Sequence, residues 1–95
     1  MYNEKYIWDD DKYEINIDKH GVTFEEASSV FDDDDAVYED DEAHSEDEER
    51  FKIIGYSNRA KMLMVCHCYR NGDRLVRIIS ARKALKNEER RYYGR

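Results

Sequence analysis

The chain has 95 residues, of which 41% are charged and 40% hydrophobic, and its formal net charge is −7. This length fits one domain, which we take to span residues 1–95, with one hydrophobic core and modest stability. No apolar run approaches the ~20 residues that cross a membrane, and no signal-peptide core is present, which excludes a membrane-spanning class and favours the cytoplasm.

The charge is sorted by position along the chain. Residues 1–49 carry 3 Lys+Arg against 20 Asp+Glu, a formal −17, whereas residues 50–95 carry 13 against 3, a formal +10. A net-acidic protein is ordinarily a poor binder of nucleic acid. The basic half nevertheless predicts a site for a polyanion, an acidic shield, or both.

The N-terminal residues predict a short strand followed by a helix. Tyr6-Ile7-Trp8 has the composition of a strand, and Asp9 is a suitable N-cap for a helix that runs to about Lys19. Gly21 is expected to end the helix in the left-handed conformation. The side chains expected to be buried are spaced by three and four residues: Tyr13, Ile17 and His20.

A second helix and an acidic segment follow. Thr23 is expected to cap the helix with Glu26 as its capping-box partner. The apolar stripe of this helix consists of Phe24, Ala27, Val30 and Phe31. Residues 32–49 then form an acidic loop in which 12 of 18 residues are Asp or Glu, and Ala36-Val37-Tyr38 within it predicts a short edge strand. Like-charge blocks of this kind are usually solvated.

The C-terminal half predicts three strands and a helix. The strands are expected at residues 51–56, 62–69 and 74–81, with turns at Asn58-Arg59 and Asn71-Gly72, the second being a strong hairpin signal. The middle strand is apolar on both faces and should be central. A helix is expected over residues 83–93. The fold class is therefore α+β, with an antiparallel sheet of four to five strands, two N-terminal helices and one C-terminal helix.

The triplet Cys66-His67-Cys68 has two interpretations. Alternation along a strand sends His67 to the face opposite the cysteines, and no second Cys/His cluster exists, so a zinc site is disfavoured. The alternative is two small buried residues with reduced thiols. No metal and no cofactor is expected.

Arg77 is the first candidate site residue, because an arginine inside an otherwise apolar strand must pair, snorkel or face a ligand. Further basic residues lie near strand ends: Arg50, Arg59, Lys61, Arg82 and Lys83. Together they form either a phosphate-binding cleft or salt bridges to the acidic half. Regular alternation puts Arg77 and Arg82 on opposite faces, so their convergence needs a bulge or a strand end near Ser80.

The three histidines are candidate acids or bases. His44 lies four to five residues before Glu48 and Glu49, whereas His20 fits a packed joint between helices and His67 fits the core. Ser80 lacks the G-x-S-x-G context of a serine hydrolase. The chain contains no P-loop, no G-x-G-x-x-G and no H-E-x-x-H.

These residues resemble the BrnT toxins, small RelE-like ribonucleases of type II toxin–antitoxin modules. The N-terminal matches are Trp8-Asp9, Lys12, Asn16, Lys19-His20-Gly21-Val22 and Phe24-Glu25-Glu26-Ala27. The later matches are His44-Ser45, Glu48-Glu49-Arg50, Ile54-Gly55-Tyr56-Ser57, the block Arg77-Ile78-Ile79-Ser80-Ala81-Arg82, and then Glu88 and Tyr92. The chain departs from the family where Ala60-Lys61 replaces the common Gly-Arg, where Glu89 replaces a basic residue, and where the proline usual near Asp33 is absent.

The resemblance implies a RelE-like fold and metal-independent cleavage of RNA that inhibits translation and growth. It implies phosphate stabilisation by Arg77 and Arg82, assisted by Lys61 and Arg50. His44 or Glu49 is then the base, and Tyr92 positions the substrate or acts as the acid. The residues expected to bind RNA are Arg50, Arg59, Ser80 and Lys83.

The resemblance also implies a partner, a ribbon-helix-helix antitoxin of the BrnA kind. The expected complex holds two copies of each protein and reaches operator DNA only through the antitoxin. The acidic residues 32–49 are expected to shield the basic site or to meet basic residues of the antitoxin. Two alternatives remain open: a catalytically weak or inactive homologue that acts as a binding module and co-repressor, and a structural domain whose halves pair with each other.

Overall fold

The fold consists of a five-stranded sheet and three α-helices, seen in a computed structural model that describes residues 5–44 and 48–94. In chain order the elements are β1 (Tyr6–Ile7), α1 (Asp10–His20), α2 (Phe24–Ser29), β2 (Val37–Asp40), β3 (Phe51–Tyr56), β4 (Met62–Arg70), β5 (Leu75–Lys83) and α3 (Lys86–Gly94), with single 3₁₀ turns at Val30–Asp32 and Glu42–His44. None of these helices is long and apolar enough to cross a membrane.

The strands are arranged in the order β1-β5-β4-β3-β2. β4 is central, as its apolar sequence predicts, and β2 is the expected edge strand. The pairs β2–β3, β3–β4 and β4–β5 are antiparallel, whereas β1 is parallel to β5. The α+β class and the sheet of up to five strands are confirmed, with the parallel β1 as an addition to the expected antiparallel pattern.

The caps of the first two helices follow from their sequences. Asp9 accepts two backbone N–H bonds, at 2.8 and 3.1 Å, and Gly21 ends α1 with φ of 69°. Thr23 accepts the backbone N–H of Glu26 at 3.1 Å. The second half of the expected capping box is not formed, because the Glu26 carboxylate accepts a hydrogen bond from Ser57 at 2.7 Å instead.

Helix α1 buries a different side chain from those expected. Tyr13 and Ile17 are half-buried, and His20 is exposed, so the expectation of a packed His20 is wrong. The buried residue is Asn16, which is only 4% exposed. The reason is that α1 meets the backbone of β5, where an amide side chain fits and an apolar one does not.

Asn16 replaces a missing strand at the edge of β5. β1 pairs with β5 at Val76 and Arg77, and among the described residues no strand lies beside the later part of β5 on that side. There the Asn16 Oδ1 accepts the N–H of Ala81 at 3.0 Å, and its Nδ2 donates to the carbonyl of Ala81 at 2.9 Å. The same Nδ2 donates to the carbonyl of Val22 at 2.9 Å. One side chain thus ties the joint between α1 and α2 to the sheet.

The core has one cluster on each face of the sheet. The larger cluster lies under α1 and α2 and contains Tyr6, Val22, Phe24, Ala27, Val30, Ile53, Leu63, Val65, Val76, Ile78 and Ala81. The smaller cluster lies under α3 and contains Ile54, Met62, Met64, Ala84 and Tyr92. Since α3 is short, part of this second face is left for charged residues of β3, β4 and β5.

A bulge in β5 brings its charged residues to the second face. Cys66 of β4 is paired with Ser80, and the next residue, His67, is paired with Ile78, so Ile79 is the extra residue. Arg77 and Arg82 therefore share the face of Ser80, because the bulge reverses the alternation between them. The bulge that their convergence requires is confirmed.

Helix α3 starts later than expected. Lys83 still belongs to β5, paired with Leu63, so the expected start of the helix at residue 83 is wrong. The Glu88 carboxylate accepts the backbone N–H of Leu85 at 2.8 Å and fixes the start of the helix. The hairpin at Asn71-Gly72 is confirmed, with a loop of residues 71–74 between β4 and β5.

His67 is fully buried on the face opposite the cysteines, as alternation predicts. Its ring lies among aromatic rings of Phe31, Tyr38, Phe51 and Tyr69. Burial lowers the pKa of His67 to about 4, and its hydrogen bond with the Val65 carbonyl acts in the opposite direction. The imidazole is therefore neutral at physiological pH.

Asn16→Ala should lower the free energy of unfolding by about 2–4 kcal/mol, because it leaves the buried N–H and C=O of Ala81 without this partner. Ile15→Ala is the matched control on the same helix, where the side chain is 59% exposed. It should change stability by less than about 0.5 kcal/mol. Urea denaturation measures both, and equal effects of the two substitutions would contradict the role given to Asn16.

His67 should make stability depend on pH. The folded-state pKa of about 4 lies below the ordinary value of 6.5, so the unfolded chain binds a proton in this interval that the folded chain does not. This contribution is fully present above pH 6.5 and is lost as the pH falls through 4, by about 3 kcal/mol. His67→Phe should remove that part of the dependence in denaturation curves at pH 4 to 7, and an unchanged dependence would contradict it.

Candidate functional site

A pocket of about 470 Å³ lies at one end of the sheet, between the α1–α2 joint and α3. Its titratable lining residues are His20, Tyr56, Lys61, Lys83 and Glu89. The remaining lining residues are Gly21, Val22, Ala60, Met62 and Leu63. The pocket thus combines an imidazole, two ammonium groups, a phenol and a carboxylate around a cavity large enough for a nucleotide.

The pocket residues come from the ends of their elements. His20 is the last residue of α1, and Gly21 turns the chain away directly after it. Lys83 is the last residue of β5. Lys61 follows Ala60, which has φ of 59°, in the loop between β3 and β4. This left-handed conformation explains physically why a glycine suits the position before the basic residue.

The loop that carries Lys61 is held against α2. The Ser57 hydroxyl donates to the buried Glu26 carboxylate at 2.7 Å, and the Ser57 N–H donates to the Lys61 carbonyl at 2.8 Å. The N–H of Asn58 donates to the Ser29 hydroxyl at 2.8 Å. These contacts give the Lys61 backbone a fixed position at the pocket.

Tyr56 and Tyr92 differ in their surroundings. Tyr56 is at the pocket rim, where its hydroxyl shares a hydrogen bond with the hydroxyl of Tyr93, which raises the pKa of Tyr93. Tyr92 is buried, and its hydroxyl donates to Asp33 at 2.9 Å. Asp33 also accepts the N–H of Tyr56 at 2.9 Å, and a Cβ at Gly55 would lie 2.9 Å from the same oxygen. Tyr92 thus ties α3 to the segment before β2.

Arg82 is half-buried in a bidentate ion pair with Glu88, with bonds of 2.9 and 3.0 Å. Burial acts to raise the pKa of Glu88, but the bonds from Arg82 and from the N–H of Leu85 outweigh it, so this pKa is lowered. Arg82 also donates to the carbonyl of Lys83 at 3.1 Å, which places its guanidinium beside the start of α3.

Arg77 has no ion pair or hydrogen bond with any residue in the described ranges 5–44 and 48–94, although it is half-buried. It lines a second pocket, of about 370 Å³, together with Ile7, Trp8, Asp9 and Arg70. Ser80 is half-buried on the same face, between Arg77 and Arg82 along β5. Six residues of β5 at ~3.3 Å each put Arg77 roughly 18 Å from Lys83, allowing for the bulge.

Lys52 is a half-buried cation on the same face that the sequence did not single out. It is paired with Cys66 in β4, which is paired in turn with Ser80 in β5. Its charge contributes to the lowered pKa of Glu88. Lys52 can be located on this face only from the pairing register of the strands, which local sequence does not reveal.

The acidic segment neutralises part of the basic half. Glu48 binds Arg70 at 2.5 Å, and Glu39 binds Arg91 at 2.5 Å. The hydrogen bond from Arg70 lowers the pKa of Glu48. Salt bridges therefore account for Arg70, Arg82 and Arg91, whereas Arg77 forms none with the described residues.

The two cysteines are buried beside acidic side chains. The Cys66 thiol donates to Asp41 at 3.4 Å, and burial together with Asp41 raises the pKa of Cys66 to about 11. Cys68 donates to Glu48 at 3.6 Å, and burial raises its pKa as well. His67 faces the other way, so the triplet does not converge. No group of three or more His, Cys, Asp or Glu in the described parts of the chain is arranged to hold a metal ion.

The other expected site residues lie outside the pocket of about 470 Å³ that contains His20 and Lys61. Arg59 is exposed in the loop before Lys61, and Glu49 is exposed before β3. Arg50 is half-buried, and its carbonyl accepts the N–H of Asp41 at 2.9 Å. The side chain of His44 lies outside the described part of the structure.

The structure thus brings Lys61 and Lys83 together and separates them from Arg77. It adds His20, Tyr56 and Glu89, which the residue-by-residue interpretation of the sequence did not place at a site. Their signal is positional: His20 ends α1, Tyr56 ends β3, and Glu89 lies in the first turn of α3, so that all three line the same pocket. A histidine before a helix-ending glycine is easily taken for a cap.

Comparison with known proteins adds two findings. The family model for the ribonuclease toxin BrnT of type II toxin–antitoxin systems matches residues 8–88. The crystal structure of the Brucella abortus ribonuclease toxin BrnT is similar to this chain, with 27% sequence identity and a TM-score of 0.66. That alignment covers 88% of this chain and 100% of the Brucella chain. A search of curated proteins gives no match.

Proposed function

The chain belongs to the BrnT family of ribonuclease toxins of type II toxin–antitoxin systems, and from this premise we propose that it cleaves RNA endonucleolytically, without a metal ion, in the pocket at the end of the sheet. Cleavage would inhibit translation and growth. The observation that carries the proposal is the pocket itself, which places His20 with two lysines and a carboxylate. The family model spans the pocket residues from His20 to Lys83.

The proposed reaction uses the RNA 2′-hydroxyl as the nucleophile. His20 takes its proton, the 2′-oxygen attacks the adjacent phosphorus, and the bond to the 5′-oxygen breaks, giving a 2′,3′-cyclic phosphate and a 5′-hydroxyl. Lys61 and Lys83 stabilise the charge on the phosphorane, as preorganised cations do in such sites. Tyr56 supplies the proton of the leaving oxygen, and Glu89 stabilises the imidazolium that forms on His20.

The pocket changes the roles suggested by the family resemblance. Glu49 lies outside it, so we assign the base to His20, and the buried Tyr92 hydroxyl already donates to Asp33. Arg82 is assigned to the border of the pocket, where its ion pair with Glu88 fixes the end of β5 and the start of α3. The exposed Arg59 is assigned to the RNA backbone.

We further propose that a ribbon-helix-helix antitoxin of the BrnA kind neutralises the toxin in a complex with two copies of each protein, and that operator DNA is bound only through the antitoxin. The charge of the acidic segment supports the proposal, because it favours binding of a basic partner. The exposed carboxylates of this segment that form no salt bridge within the described residues include Asp32, Asp34, Asp40 and Glu42.

His20→Gln and Lys61→Ala should each lower the rate of RNA cleavage by roughly 10²–10³, because each removes a group that acts on the transition state. Induced expression of the wild type should arrest growth with loss of RNA, and neither variant should do so. Lys19→Gln and Lys86→Ala remove charges of the same sign outside the pocket and should leave both effects intact.

Circular dichroism verifies that each variant is folded. Wild-type rates in folded His20→Gln and Lys61→Ala proteins would contradict the assignment of the pocket. A folded wild type that neither arrests growth nor cleaves RNA would favour the alternative of an inactive binding module that serves as co-repressor.

Neutralising Asp32, Asp34, Asp40 and Glu42 as amides should weaken binding to the neighbour-encoded antitoxin by about tenfold at low salt, since steering by exposed charges is screened at high salt. The salt dependence of the dissociation constant should also become shallower. Glu14→Gln with Asp18→Asn removes exposed charges on α1 as a control. An unchanged affinity at low salt would show that the acidic segment does not meet the antitoxin.

A further inference from the structure

The pocket that contains Arg77 has the composition of an anion site next to an aromatic wall. Its cations are Arg70 and Arg77, and its one carboxylate is Asp9. Arg70 is held by Glu48, and one oxygen of Asp9 is used by the two backbone N–H groups that it caps. Arg77 is therefore the cation of this pocket that no described residue neutralises. A half-buried guanidinium in this state favours a phosphate group.

Trp8 is held rigidly at the same pocket. Its indole stacks on Tyr13 at 5.8 Å between centroids, with 11° between the planes, and meets the edge of Phe24 at 5.8 Å. Tyr13 is fixed in turn, because its hydroxyl donates to Glu25 at 2.6 Å. Stacking of a nucleobase on a preorganised aromatic ring costs little conformational entropy and tolerates any base.

We propose that this pocket is a nucleotide subsite for single-stranded RNA, with one base against Trp8 and the adjoining phosphate on Arg77. The subsite binds a nucleotide away from the cleaved bond, because Arg77 lies roughly 18 Å along β5 from Lys83 of the large pocket. Ser80 and Arg82 lie between the two pockets on the same strand and provide polar contacts for the intervening RNA. Arg77 is thus a binding residue, in place of the catalytic role that the family resemblance suggests.

The proposed subsite rests on the proposed ribonuclease function. Substrates of different length test the subsite and the cleavage separately. A dinucleotide is too short to reach both pockets, whereas a hexanucleotide is long enough. Arg77→Gln should therefore raise the KM for a hexanucleotide by about tenfold. The rate at saturating hexanucleotide should stay within about twofold of wild type, and so should the rate of dinucleotide cleavage. Arg90→Gln, on the exposed side of α3, is the control for loss of one positive charge.

Trp8 offers a second test that does not depend on activity, because it is the one tryptophan of the chain. Hexanucleotides blocked by 2′-O-methylation should bind without being cleaved and should change the emission of Trp8. Binding should be about tenfold weaker in Arg77→Gln and severalfold weaker in Trp8→Phe, which keeps an aromatic ring in the core. The affinity is measured independently by the anisotropy of a labelled hexanucleotide.

Three outcomes would overturn the subsite: binding with no change in Trp8 emission, equal affinities of Arg77→Gln and Arg90→Gln, or a large loss of the saturated rate in Arg77→Gln with unchanged affinity. Binding that changes Trp8 emission in a protein that cleaves nothing would refute the ribonuclease and keep the subsite. Absence of both binding and cleavage by the folded wild type would refute both.

Discussion

The position of the proposed catalytic pocket depends on the contact between Asn16 and the edge of β5. Through its amide, Asn16 bonds both the N–H and the C=O of Ala81 and also the carbonyl of Val22. Since Val22 follows His20 by two residues and Ala81 precedes Lys83 by two, one side chain sets the separation of the imidazole from that lysine. This interaction resembles the pairing of two strands, and it holds the end of α1 against the edge of β5.

The division of charge along the sequence has a structural meaning. Part of the acidic segment forms the edge strand β2, and two of its carboxylates pair with arginines of the basic half, Glu48 with Arg70 and Glu39 with Arg91. Arg77, Lys61 and Lys83 form no salt bridge among the described residues, and we propose that these cations meet the RNA. The same segment has exposed carboxylates, among them Asp32, Asp34 and Glu42. The net charge of −7 conceals this arrangement because the acidic half outweighs the basic half.

Local signals predicted most of the fold, and pairing geometry decided the rest. The bounds of β3, the left-handed Gly21 and the burial of His67 follow from residue type and alternation. The site was harder to predict from the sequence than the fold. His20 precedes a helix-ending glycine and therefore resembles a capping residue, and only the structure shows that β4 and β5 reach the same pocket. Lys83 was assigned to a helix since its strand pairing with Leu63 is non-local. Lys52 lies on the face of Ser80 through the pairing of β3 with β4 and of β4 with β5, which local sequence does not reveal.

The most direct test of the account is the chemistry of the RNA ends after cleavage in EDTA. A defined RNA incubated with the purified protein should be cut, with a 2′,3′-cyclic phosphate on one product and a 5′-hydroxyl on the other, as mass spectrometry can determine. Products with a 5′-phosphate, or cleavage that appears only when a divalent cation is added, would contradict transesterification by the side chains of the pocket.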